Sequence, residues 1–148
     1  MRKFYNLAGI LSLSEEEKEL IQQQALEGDP VACYKLAEIH LHLHECEDYV
    51  ASAQELLQKA SEGGVADADA TMAIMMFRGE IEPFDPVAAA KRLEKAINNR
   101  SDRGTAFQLR NLLYGRYGYE PNIDLVRQTL DQLLSQGDDP YWCALMGD

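Results

Sequence analysis

Disulfide chemistry has little to work with in this chain. Its 148 residues include three cysteines, Cys33, Cys46 and Cys143, an odd number with no Cys-x-x-Cys spacing. Such a set reads as free thiols in a reducing compartment, not as the framework of a stapled secreted domain. Basic residues are also scarce, 14 Lys and Arg against 25 Asp and Glu, for a formal net charge of −11. Nucleic acid and anionic membranes bind through cation-rich surfaces, so neither is expected as the main ligand, and a basic partner suits the chain better. No stretch approaches the ~20 apolar residues of a membrane-crossing helix. No window alternates with period two for long enough to form a strand. Five prolines, 46% hydrophobic and 26% charged residues leave a composition too ordinary for disorder. A chain of this length buries roughly two thirds of its unfolded surface, enough for a core without disulfides or metal.

Catalytic signatures are missing too. The sequence has no Gly-rich phosphate loop, no Gly-x-Ser-x-Gly elbow and no His-Glu-x-x-His pair, so neither an enzymatic activity nor a cofactor is expected. Met1 to Ser14 opens with Arg2 and Lys3 and runs through Phe4, Leu7, Ile10 and Leu11, which faintly imitates a signal peptide. Asn6 interrupts the apolar stretch and no Ala-x-Ala site precedes Glu15, so a cytoplasmic location is expected, with secretion or the periplasm as the alternative.

What the chain does have is a period of 36 residues. Gly28, Ala32, Leu36, Ala37 and His40 align with Gly64, Ala68, Met72, Ala73 and Met76, and then with Arg100, Gly104, Gln108, Leu109 and Leu112. Gly115 follows Gly79 at the same interval, and Gly137, Tyr141, Leu145 and Met146 fit a fourth, partial copy if one residue is inserted in the third. Self-similarity at this length marks stacked helical pairs, whose usual work is to offer a surface to a partner.

Start and stop signals place eight helices. Ser14 with Glu17 forms a capping box, so a helix is expected from there to about Glu27, where Gly28 stops it and Pro30 opens the next. The others are expected over Pro30–His44, Tyr49–Glu62, Asp67–Arg78, Asp85–Asn99, Asp102–Tyr117, Asn122–Gln136 and from Pro140 onward. In the first helix of each unit, small residues at 32, 68 and 104 allow close approach of a neighbouring helix. The second helices carry Ala53, Leu57 and Ala60, then Ala89, Leu93 and Ala96. Val126, Leu130 and Leu133 continue that stripe with bulkier side chains, which is expected to leave the last pair looser.

These columns resemble the Sel1-like repeat, a relative of the tetratricopeptide repeat. The middle copy matches best, through Gly64, Ala68, Met72, Ala73, Met76 and Gly79, followed by Asp85, Lys95 and Ala96. The first copy departs from the pattern at His40 and Leu43, and the third at Arg100 and Gln108. The resemblance covers roughly residues 25 to 147. It implies an all-α fold, an α/α right-handed superhelix of stacked helical hairpins in one domain. A half unit at about 14–27 would precede repeats at about 28–63, 64–99 and 100–136 and a partial copy at 137–148. Three units is about the least such an array needs to stabilise itself, so the chain is expected to be complete. Tyr141 and Trp142 would then cover the open end.

Candidate binding residues follow from geometry. Turning roughly 180° to 240° from the packing stripe of the first helices brings up Tyr34, Glu38 and Leu41, then Ile74 and Phe77, then Arg110 and Leu113, with Arg78 and Tyr114 at the edge. In the resembled solenoids this side lines the concave groove. Tyr34, Phe77, Arg110 and Tyr114 belong to residue types that anchor interfaces, although Leu41, Phe77 and Leu113 share a column that would equally extend the core. Charge is uneven as well. Residues 1–74 carry 5 basic and 14 acidic side chains, while Lys91, Arg92, Lys95, Arg100, Arg103, Arg110 and Arg116 face only Glu94 and Asp102.

The expected function is therefore that of a non-enzymatic, cytoplasmic, bacterial Sel1-like adaptor binding a protein or peptide, with an acidic half that steers a basic partner. Oligomeric state is not specified by the sequence. One alternative within that class is an immunity or inhibitor protein covering a basic toxin. A second, from another class, is a metal-binding protein built on the segment from His40 to Cys46, because imidazoles at i and i+4, His40 and His44, with the Cys46 thiolate nearby, could share one ion.

Overall fold

The computed structural model describes residues 13–43, 47–82 and 85–135. They form seven α-helices and no strand: α1 (Glu15–Leu26), α2 (Pro30–Leu43), α3 (Tyr49–Glu62), α4 (Ala66–Phe77), α5 (Pro86–Asn98), α6 (Asp102–Tyr114) and α7 (Ile123–Ser135). The expected helix from Pro140 lies outside the described residues. Among the described residues no helix is long and apolar enough to cross a membrane.

The caps explain most boundaries. The Glu17 amide donates to Ser14 Oγ at 3.1 Å, Asp29 Oδ1 accepts from the amides of Val31 and Ala32, and Asp85 Oδ1 accepts from Val87 N–H. Each side chain satisfies a first-turn donor that has no partner within the helix. The largest departure from the expected boundaries is in α6, which ends at Tyr114 and not at Tyr117. Gly115 there adopts φ +67°, and the amides of Gly115 and Arg116 both fold back onto Asn111 O.

The 36-residue period is written into the backbone. Residues 28, 64 and 100 all adopt left-handed φ, +92°, +91° and +64°. At each of them the same pair of hydrogen bonds closes the preceding helix. Gly28 donates to Ala25 O and Asp29 to Gln24 O, Gly64 to Ser61 O and Val65 to Ala60 O, Arg100 to Ile97 O and Ser101 to Ala96 O. This is the Schellman closure, which calls for a left-handed residue and favours glycine. Arg100 keeps the geometry without the glycine. The inserted residue of the third copy is located by the next caps, as Asp85 caps α5 while Asn122, 37 positions later, accepts from Leu125 N–H and caps α7.

The chain divides into two compact units, Met1–Ser101 and Asp102–Asp148, and the break falls one residue past Arg100. In the first unit sequence-adjacent helices pack on one another, α1 on α2, α2 on α3, α3 on α4 and α4 on α5. Ala32, Ala37, Ala53, Leu57, Ala60, Ala68, Met72 and Ala89 share one core. The small-residue columns lie where expected, with Ala53, Leu57, Ala60, Ala68, Ala73, Ala89 and Ala96 at 0% exposure. Burying Leu57 alone contributes about 2 kcal/mol relative to exposure. In the second unit α6 packs on α7 around Ala106, Leu109 and Val126, with Leu112, Leu113, Leu130 and Leu133 partly buried against them.

Candidate partner-binding surface

The residues expected to line a groove fall in both units. In the first, Tyr34, Leu41 and Phe77 are half-buried and pack against the core cluster. For Leu41 and Phe77 this is the core-extending role that their shared column allowed. Arg78 is exposed at the C-cap of α4, where its amide donates to Ile74 O. Glu38 departs from expectation. It is 1% exposed, with Oε1 3.4 Å from Thr71 Oγ1 of α4 and Oε2 3.4 Å from His42 Nε2. Helix α2 has α1 on one side and α3 on another, while Thr71 reaches it from α4, so the polar side of its helical wheel is enclosed.

In the second unit Arg110 is exposed and Tyr114 is 54% exposed. The Arg116 guanidinium sits 5.0 Å from the Tyr114 ring centroid, close enough for a cation–π contact that stiffens both side chains. Phe107 and Tyr117 form a second pair with ring centroids 5.6 Å apart. Leu113 packs on its unit's small core. Two of the expected anchors of this unit therefore face solvent and one column mate faces inward.

A concavity in the first unit lies elsewhere, between the N-terminal end of α3 and the segment that follows α4. A cleft of about 480 Å³ is lined there by Glu47, Asp48, Glu80 and Glu82, with Val50 and Ile81 among the apolar lining residues. All four carboxylates are exposed, whereas Ile81 is buried. Four carboxylates with Val50 and Ile81 among the same lining residues suit a Lys or Arg side chain, whose stem is apolar and whose head is charged. These residues do not belong to any helical stripe, which is why periodicity did not single them out. The signal was present in another form, because the connections after the first helices of consecutive copies, around 44–48 and 80–85, occupy the same place in the repeat and both are acidic.

The cations of α5 are not all available to solvent partners. Arg92 Nη1 and Lys95 Nζ each lie 3.5 Å from the carboxylate of Asp69, which is 3% exposed. As for metal, His40 is half-buried and its Nδ1 is enclosed without a hydrogen-bond partner, while His44 and Cys46 lie outside the described residues. Among the described residues no group of three or more His, Cys, Asp or Glu side chains is arranged to hold an ion. Cys33 is buried with Sγ 3.7 Å from Ala25 O. Desolvation by burial pushes its thiol above the ordinary value, partly offset by the Lys59 charge.

The fold and this surface define an all-helical protein built from consecutive packed helices, with an acidic cleft and an aromatic–arginine patch on separate units. Comparison with known protein families, with curated proteins and with solved structures returns no match.

Proposed function

We propose that this chain is a non-enzymatic protein-interaction module, a Sel1-like bacterial adaptor acting in the cytoplasm, that captures a basic segment of a partner protein. The observation that carries this reading is the cleft lined by Glu47, Asp48, Glu80 and Glu82 with Ile81, in a chain whose net charge is −11. The long-range field attracts a cationic partner, and the short-range contacts fix its position. The threefold recurrence of one cap geometry at 36-residue intervals supports the assignment to a repeat protein. So does the burial of the small-residue columns. In this reading Tyr34 and Arg78 supply further contacts on the first unit, and Arg110 and Tyr114 offer a contact of their own on the second.

The test is titration of the full chain with a fluorescent Lys/Arg-rich peptide carrying one Leu or Phe, read by anisotropy at low and high salt. Binding should weaken at least tenfold between about 50 and 500 mM salt as the carboxylates are screened. The variant Glu80→Lys, Glu82→Lys should lose binding while retaining its helical circular dichroism. A pull-down from the source cell that compares wild type with this variant and with Tyr34→Ala, Arg110→Ala separates the cleft from the other contacts. Equal recovery of every partner by all three proteins would remove the proposed surface.

A further inference from the structure

We infer that the C-terminal helical pair, α6 with α7, opens as a separate cooperative element while the first unit stays folded, and that Asn111 sets how often it does so. Asn111 stands in the column of Ile39 and Met75, both buried apolar residues of the first unit. It is itself 1% exposed, and its Nδ2 has no hydrogen-bond partner. An amide N–H removed from water with nothing to receive it raises the free energy of the closed state, and that penalty is relieved when the pair opens.

Three further observations point the same way. Among the described residues the core of this unit is Ala106, Leu109 and Val126, whereas the first unit buries a much larger cluster around Leu57 and Met72. Tyr117, in the connection between the two helices, is a non-glycine residue held at φ +53°, a conformation that L side chains adopt at a cost. Tyr114, Tyr117, Ile123 and Leu125 remain between 41% and 56% exposed in the closed state, so closure leaves about half of each in water. Opening free energies in one protein range from near zero up to the global value, and segments with few buried apolar contacts belong to the lower end. The chain therefore pairs a durable N-terminal body with a C-terminal element that a ligand could order.

Native-state hydrogen exchange on the full chain, read by mass spectrometry across a series of low denaturant concentrations, tests this. Amides in 106–113 and 127–134 should exchange together, and at least tenfold faster than those in 54–60, 70–76 and 90–96. Asn111→Leu keeps the branching of the side chain and removes its polar atoms. It should slow exchange in both α6 and α7 about tenfold and leave the first unit unchanged, and the smaller Asn111→Val should act in the same direction. A single exchange limit shared by both units in the wild type would overturn the proposal. So would substitutions that slow both units equally or slow neither.

Discussion

Ser61 at the end of α3 donates a hydrogen bond of 2.7 Å to Asp69 in α4, a carboxylate only 3% exposed. Arg92 and Lys95 bring two cations from α5 to the same group at 3.5 Å. One buried anion thus joins three successive helices, and a buried carboxylate is tolerated because each side supplies a donor or a charge. The two cations are 30% and 61% exposed, which limits the Coulombic part. Asp69→Ala is expected to destabilise the protein by about 2 kcal/mol, from the lost charged hydrogen bond and the stranded Ser61 hydroxyl. Urea unfolding of the variant would show a lower midpoint at unchanged slope, and an unchanged midpoint would refute the role assigned to Asp69.

The helix ends at 28, 64 and 100 offer a second check. Arg100 holds a left-handed φ of +64° without being glycine, so Arg100→Gly should raise stability by about 1 kcal/mol. Gly64→Ala should lower it by a similar amount, since nothing crowds the missing Cβ and the cost is conformational alone. Gly63→Ala is different in kind. Its φ is −84°, yet a Cβ there would run into both Cβ and Cγ of Pro30, so its penalty should be relieved by Pro30→Gly while that of Gly64→Ala is not.

The burial of the small-residue column predicts an asymmetry between two apolar helical positions. Ala68 is fully buried against the core of the first unit, whereas Val87 on α5 is 61% exposed. Ala68→Leu should cost about 2–3 kcal/mol by overpacking, and Val87→Leu should stay within about 0.5 kcal/mol of wild type. Thermal unfolding of both variants distinguishes these outcomes.

Burial raises the Cys33 thiol above its ordinary value of 9.0. The folded state therefore holds its proton more tightly than the unfolded chain does. The stability this confers is fully present below that ordinary value and is lost as pH rises through the raised one. The loss of stability above about pH 9 should be shallower in Cys33→Ala than in wild type. In the native wild type, alkylation by iodoacetamide, followed at the Cys33 peptide, should be slow and should accelerate with urea.

Much of this architecture was legible before any coordinates. Tyr49–Glu62 lies where the stripe and the following glycines placed it, and Ser14 with Glu17 opens α1 as the capping box required. These features are local, set by backbone donors and a 3.6-residue period. What the pattern misjudged depended on neighbours. Glu38 looked like a surface residue on a single helical wheel, but α2 has partners on several sides and draws the carboxylate inward toward Thr71. The acidic cleft joins Glu47 and Asp48 to Glu80 and Glu82 across the gap between two connections. Such a juxtaposition depends on the packing of α3 on α4 and on no single segment. Arg100 shows the reverse case, where the side chain hides a backbone equivalence that only φ reveals.

Because helices ending before residues 28, 64 and 100 all terminate through the same pair of hydrogen bonds, the three junctions are interchangeable as splice points. A duplicate of residues 64–99 joined ahead of Arg100 would meet, at both seams, a backbone turn it already makes. The same joint is thus kept at position 100, where arginine stands in place of the glycine of the other two.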